Sequence, residues 1–198
     1  MKSLLLATHN KGKLKEIQAI LGEEVTLLTM ADYPEIPEVM EDGDTFEANA
    51  IKKAVEVANA SGQIALADDS GLVVDALDGA PGVYSARYAG DAATDQDNND
   101  KLLREITNIP DDALAARFQC VIAVVAPAGT PRTASAAWEG RIVREPRGDQ
   151  GFGYDPLFFS PEHGSTSAEL PREEKNRASH RGKALHAAKP LILELLNT

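Results

Sequence analysis

The chain has 198 residues, 43% hydrophobic and 26% charged, with 20 Lys and Arg against 31 Asp and Glu for a formal net charge of −11. That is ordinary globular composition, ample for a core and sized for one large domain or two lobes. It excludes wrapping of a nucleic-acid backbone, which needs a basic footprint, and a polyanionic ligand would need a local island of Lys, Arg or metal.

A single cysteine, Cys120, rules out an intramolecular disulfide and fits a reducing, cytoplasmic setting. It lies in the apolar run 120–125 and reads as a small buried side chain rather than a nucleophile. No apolar stretch approaches the ~18 residues of a membrane span, so no membrane partner is expected. The three leucines after Met1-Lys2-Ser3 stop too soon for a secretory signal and read as a first strand.

In chain order, residues 3–8 read as a buried strand. Leu14, Ile17 and Leu21 share one helical face, which predicts a helix over 11–22 stopped by Gly22. A short strand over 25–28 and a Pro- and acid-containing loop over 31–43 follow. A longer helix is predicted from 45 to 60. Asp44 with Glu47 makes its capping box, Phe46, Ala50, Ala54 and Val57 its buried face, and Ser61-Gly62 its end. A compact strand over 64–67 ends at Asp68-Asp69-Ser70-Gly71, with 72–74 as a further short strand.

Residues 79–94, rich in Gly, Pro and Ala, read as a structured loop before a helix over 95–107 carrying Leu102, Leu103 and Ile106. Strands over 116–126 and 132–144 flank the turn 127–131 as an antiparallel hairpin. A last helix runs over 180–196 with Pro190 expected to kink it. Strands alternating with helices, then a hairpin, predict an α/β fold with a mixed central sheet flanked by helices. No repeat or linker marks a boundary, so 1–198 reads as one domain.

Several residues can carry chemistry. Thr8-His9-Asn10-Lys11-Gly12-Lys13 joins the first strand to the first helix, where backbone N–H groups and the helix dipole attract anions. It fits a phosphate cradle, or simply an Asn-capped helix start with solvated lysines. Asn49 and Lys53 lie four apart on one helix face, with Lys52 as the neighbouring alternative for a phosphate contact. Glu41 and Asp42 precede that helix, and Asp68 and Asp69 follow buried residues where α/β folds place ligands. One carboxylate from each place would hold a hard cation through oxygen; the alternatives are a solvated loop acid and an Asx turn.

In Gly151-Phe152-Gly153-Tyr154-Asp155-Pro156, glycines flank an aromatic able to stack, and Asp155 could bond the edge of a base; otherwise it is a tight turn with a core Phe. Ser179-His180-Arg181-Gly182 sets positive groups at a helix start, against the dipole. The run 173–177 reads most simply as a solvated face.

Thr8-x-Asn10-x-x-Lys13, Asp68-Asp69-Ser70-Gly71-Leu72, Gly79-x-Pro81-Gly82-x-Tyr84-Ser85-Ala86-Arg87-Tyr88, Gly151-Phe152-Gly153-Tyr154-Asp155-Pro156 and Ser179-His180-Arg181-Gly182 occur in this order. Together they resemble the inosine/xanthosine triphosphate pyrophosphatase family, the house-cleaning dITP/XTP pyrophosphatases, over nearly the whole chain. The resemblance implies a long mixed central sheet, two lobes with an active-site cleft between them, and a homodimer. It implies hydrolysis of the purine nucleoside triphosphates ITP, dITP and XTP to monophosphate and pyrophosphate with Mg²⁺. Thr8, His9, Asn10, Lys11, Gly12, Lys13 and Lys53 would hold the triphosphate, Glu41 and Asp69 the metal, with Asp69 also the catalytic base and Ser70 touching substrate. Phe152, Gly153, Tyr154, Asp155, Lys175, His180 and Arg181 would form the base pocket.

One departure stands out. The family often has Glu-Asn-Ala in the second helix where this chain has Ala48-Asn49-Ala50, so any metal help from position 48 is missing or comes from Asp42 or Asp68. Two rival functions are a pyrophosphatase for other modified nucleotides and a non-catalytic nucleotide sensor.

Overall fold

A computed structural model describes residues 3–21 and 25–197. The described residues form seven strands and five α-helices. They are β1 (Ser3–Leu6), α1 (Lys11–Leu21), β2 (Thr26–Thr29), α2 (Phe46–Ser61), β3 (Ile64–Val74), α3 (Asp95–Glu105), β4 (Ala115–Val125), β5 (Arg132–Ile142), β6 (Phe158–Ser160), β7 (Ser165–Thr166), α4 (Arg172–Ala178) and α5 (His180–Leu196). The strands make one sheet in the order β2-β1-β3-β4-β5-β6-β7. β1 runs parallel to both β2 and β3, while β6 is antiparallel to β5 and to β7, so the sheet is mixed.

The chain divides into two compact units. The first comprises Met1–Asp69, Cys120–Ala136 and His180–Thr198; the second comprises Ser70–Gln119 and Ala137–Ser179. In the first unit, Leu4, Leu6, Ile17, Leu21, Ile122, Val124, Leu185 and Ile192 share one core. The helical spacing of Ile17 and Leu21 and the strand spacing of Leu4 and Leu6 place these side chains on matching faces. The second unit packs Leu72, Val74, Leu102, Ile106, Phe118, Trp138, Phe158 and Leu170. There the Trp138 and Phe158 rings meet at 5.1 Å in a tilted pair.

Three expectations change. The residue capping α2 is Thr45 rather than Asp44: Thr45 is extended and its hydroxyl accepts from the Ala48 amide at 3.1 Å. The strand over 64–67 does not end at Asp68; β3 continues through Asp68, Asp69, Ser70 and Gly71 to Val74. The run 173–177 is helix α4, and it buries Lys175 instead of leaving it solvated. Gly22, expected to stop α1, lies outside the described residues. α2 ends as expected at Gly62, whose left-handed φ of 69° lets its amide reach the Ala58 carbonyl. α5 continues through Pro190, where the backbone ladder lacks one donor. No helix among the described residues is long and apolar enough to cross a membrane.

Candidate active site

In the first unit, the turn after β1 is shaped by its own side chains. The Asn10 carboxamide oxygen accepts from the Gly12 and Lys13 amides at 2.9 and 3.1 Å, so Asn10 caps α1. The Thr8 hydroxyl accepts from the Asn10 amide at 3.1 Å. His9, Asn10 and Lys11 are exposed, and Thr8, Gly12 and Lys13 are half-buried. The Lys13 ammonium reaches back to β3, 2.6 Å from the Asp68 carboxylate and 3.3 Å from its carbonyl.

Asp68 is the hub of a buried charge network. Its side chain also accepts from Arg181 Nε at 2.8 Å and lies 3.1 Å from the Cys120 thiol. Arg181 turns its other face to Glu16 on α1. Two carboxylates and two cations therefore balance, and Arg181 is only 2% exposed. Burial works to raise the Asp68 carboxyl, but Arg181 and Lys13 outweigh it and hold it well below the usual range. Burial likewise opposes the Arg181 charge, and Asp68 and Glu16 more than restore it. The same burial, with Asp68 alongside, pushes the Cys120 thiol well up, in keeping with an inert core cysteine.

Asp69 alternates to the other side of β3 and meets a different environment. It is 4% exposed, and its carboxyl is raised to about 6. Burial is the main cause; Lys13 and Lys53 pull it down, Glu41 pushes it up, and a hydrogen bond from Asn49 favours the charged form. Glu41 is ion-paired with Lys53, one turn along α2 from Asn49. Asn49 in turn holds the Gly43 peptide, accepting from its amide at 2.7 Å, which ties the loop bearing Glu41 to the helix. Glu41, Asn49, Lys53 and Asp69 thus form one electrostatic group. The two stand-ins considered for position 48 are committed elsewhere: Asp42 pairs with Lys52 at 2.7 Å on the surface, and Asp68 with Arg181 and Lys13.

Among the described residues, no group of three or more His, Cys, Asp or Glu is placed to hold a metal ion. Mg²⁺ is usually held by one or two carboxylates plus waters and substrate phosphates. Glu41 lies close enough to push the Asp69 carboxyl up, a repulsion that a divalent cation held by the pair would relieve.

In the second unit, the loop 151–155 is a rigid construction. Asp155, 3% exposed, accepts from the Phe152 amide at 2.8 Å, the Lys175 ammonium at 2.6 Å and the Ser167 hydroxyl at 2.7 Å. The Lys175 ammonium also sits 5.2 Å from the centre of the Phe152 ring, a cation–π contact. Tyr154 is buried, and its hydroxyl donates to the Ser85 carbonyl at 2.8 Å. Gly153 is gripped at both ends by α3: its amide donates to Asp95 at 2.7 Å and its carbonyl accepts from Asn99 at 3.0 Å. Ser70, the first residue of this unit, is half-buried on β3.

Gly151 has φ 82°, and a Cβ there would fall 2.1 Å from the Asp155 carboxylate and 3.0 Å from the Lys175 ammonium. That oxygen cannot yield, being held by two donors. Gly151→Ala is therefore expected to cost about 1–3 kcal/mol of stability through strain and a broken ion pair. An unchanged urea midpoint would contradict this.

The structure thus brings Lys13, Glu41, Lys53, Asp69 and Arg181 into one unit, with Asp68 and Glu16. It gathers Phe152, Gly153, Tyr154, Asp155 and Lys175 in the other. His180 opens α5, buried, in the first unit. Sequence reasoning missed Glu16, Ser85, Asp95, Asn99 and Ser167. Only Asp95 carried a local signal, standing next to the Thr94 cap of α3, and that signal points to helix capping.

A family model described as the Ham1 family matches residues 4–191. A dITP/XTP pyrophosphatase from Geobacter sulfurreducens is 59% identical over 186 residues, spanning 93% of this chain and 94% of that protein. One from Desulforamulus reducens is 53% identical, spanning 98% and 95%. Among solved structures, a HAM1 protein from Coxiella burnetii superposes with a TM-score of 0.89 at 44% identity, covering 98% of this chain and all of that one. The Staphylococcus aureus Ham1 protein gives 0.87 at 35% identity, with 98% and 99% covered. With a fold, a set of motifs and relatives that agree along almost its whole length, the chain belongs to the Ham1 family.

Proposed function

We propose that this chain hydrolyses the deaminated purine nucleoside triphosphates dITP, XTP and ITP to nucleoside monophosphate and pyrophosphate. The observation that carries the reading is Asp69: a buried carboxyl raised to about 6, grouped with Glu41, Lys53 and Lys13. The activity named for a relative 59% identical over 186 residues supports it.

In this reading a water oxygen attacks the α-phosphorus, the bond from that phosphorus to the bridging oxygen breaks, and pyrophosphate leaves. Asp69 orients the water; its carboxyl, raised to about 6 without a cation, is ionised at neutral pH, and it would keep enough basicity to take the proton where it holds the cation through an intervening water. Each ammonium carries three donors, so Lys13 and Lys53 can hold phosphate oxygens while keeping their carboxylates. Glu41 and Asp69 would hold Mg²⁺, which would supply positive charge to neutralise the triphosphate and acidify water. Phe152 offers a ring to the base, and Lys175 donates to a 6-oxo group, which adenine lacks. Arg181 acts by fixing Asp68, next to Asp69, more than by touching the base, since its guanidinium is turned to Asp68 and Glu16.

The test is pyrophosphate release from dITP, XTP, ITP, ATP and GTP, with Mg²⁺ and with chelator. Mg²⁺-dependent turnover confined to the 6-oxo purines of deamination is the expected result. Equal turnover of ATP would sink the base selectivity, and binding without turnover would leave a sensor. The chain is also proposed to work in the cytoplasm without nucleic acid, supported by its lone buried thiol and net charge of −11, and, on the family resemblance alone, as a homodimer; sedimentation at the monomer mass would refute the dimer.

A further inference from the structure

The N-terminal half of α3 is polar, and its side chains do an unusual amount of work on neighbouring backbone. Asn98 accepts from the Ala89 amide at 2.8 Å and donates to the Ala86 carbonyl at 3.2 Å. Asp95 and Asn99, one turn apart, take the Gly153 amide and the Gly153 carbonyl. These two groups belong to the two successive peptide planes on either side of the Gly153 α-carbon, a residue at φ 62°. With both planes held, a glycine otherwise free to rotate is locked.

Asn99 shows that this grip is not incidental packing. Its amide nitrogen serves Gly153, while its Oδ1 is buried with no hydrogen-bond partner among the described residues. A buried acceptor left unmade carries a desolvation cost, and a plain apolar side chain would avoid it. The residue is explained by the contact that its nitrogen makes.

We propose that Asp95 and Asn99 are positioning residues for base selection: by clamping both peptide planes of Gly153 they fix the Phe152 ring against Lys175 and thereby set how strictly the purine edge is read. This rests on the proposed function, since it takes the loop 151–155 as the base-reading element. Neither residue touches substrate. Loosening the clamp lets the loop relax toward other bases and weakens binding without altering the reacting centre.

The experiment compares Asp95→Ala, Asp95→Asn, Asn99→Ala and the unaltered chain, each with dITP and dGTP. Asp95→Ala and Asn99→Ala are expected to raise KM for dITP about tenfold with kcat within about twofold, the pattern of lost uniform binding. The ratio of kcat/KM for dITP over dGTP should shrink about fivefold or more, because a looser site discriminates less. Asp95→Asn keeps an acceptor oxygen and should restore the ratio. Hydrogen exchange of the Gly153 amide provides a readout that needs no turnover: it should speed up at least about tenfold in Asp95→Ala and not in Asp95→Asn. Unchanged Gly153 exchange, or a fall in kcat with KM and the ratio intact, overturns the clamp. An unaltered chain that turns over no nucleotide defeats the functional reading instead, and the exchange result then decides the clamp by itself.

Discussion

Asp69→Asn is expected to cut pyrophosphate release by about 10²–10⁴-fold, the usual weight of a positioned proton acceptor. The same change should make the fold more stable in the absence of divalent cation. The Asp69 carboxyl stands at about 6 against an ordinary aspartate value of 3.8, and it is 4% exposed, so solvent does little to screen it. Holding it ionised at neutral pH therefore costs up to about 3 kcal/mol, which a neutral amide of the same shape avoids. The sign is definite. The folded carboxyl binds its proton more tightly than the unfolded one, so the associated stability is present below pH 3.8 and is lost as pH rises to about 6. Asp68 has the opposite sign: held low, it stabilises above the ordinary carboxylate range and is lost in acid. Urea midpoints followed from acid to neutral pH should show the Asp69 decline in the natural chain and not in Asp69→Asn. Loss of stability in the variant at pH 7 would refute the argument.

Arg181→Met is expected to destabilise the fold by about 3–5 kcal/mol, the cost of leaving buried carboxylates without their cation. Glu16 then has lost the guanidinium that it shares with Asp68, and Asp68 keeps Lys13 as its cation. Adding Glu16→Gln should recover a good part of the loss, because it removes the charge most exposed to the deletion. Arg181→Lys should also fall short, since one ammonium cannot span both carboxylates as a planar fork does. Chemical unfolding of the three variants and the natural chain measures this directly. If Arg181→Met cost under about 1 kcal/mol, the buried network would carry little stability.

Legibility in the sequence followed the range of the interaction. The α1 and α2 faces could be read because Ile17 and Leu21, or Ala50, Ala54 and Val57, repeat at helical spacing and are buried together. β3 could not be read whole. Two adjacent acids look like the end of a buried strand, and they persist inside one only because Arg181 lies 113 positions away and Lys13 lies 55. No local window contains those partners. The strands β6 and β7 have three and two residues, too few for any period. The charge of Arg181 at the start of α5 was visible as an anomaly against the helix dipole, but its resolution by Asp68 and Glu16 was not. Lys175 was misread from its charged neighbours for the same reason: Asp155, which makes its burial tolerable, is 20 residues earlier. The candidate site residues themselves were legible only as motifs, and their grouping into two sets came from the fold.

The first unit assembles α1 with α5: Leu4, Leu6 and Ile17 from the start of the chain pack with Leu185, Ala188 and Ile192 from the last helix described. A ribosome making this protein releases β1 and α1 long before their partner exists. For most of synthesis the leucines of β1 and the Glu16 carboxylate have neither their core nor their cation. Such distant pairing is slow to form and leaves apolar surface uncovered meanwhile. The nascent chain should therefore be a client for chaperones until α5 emerges. Chains stalled before His180 should stay protease-sensitive in their first 60 residues, whereas chains released with α5 complete should become resistant there.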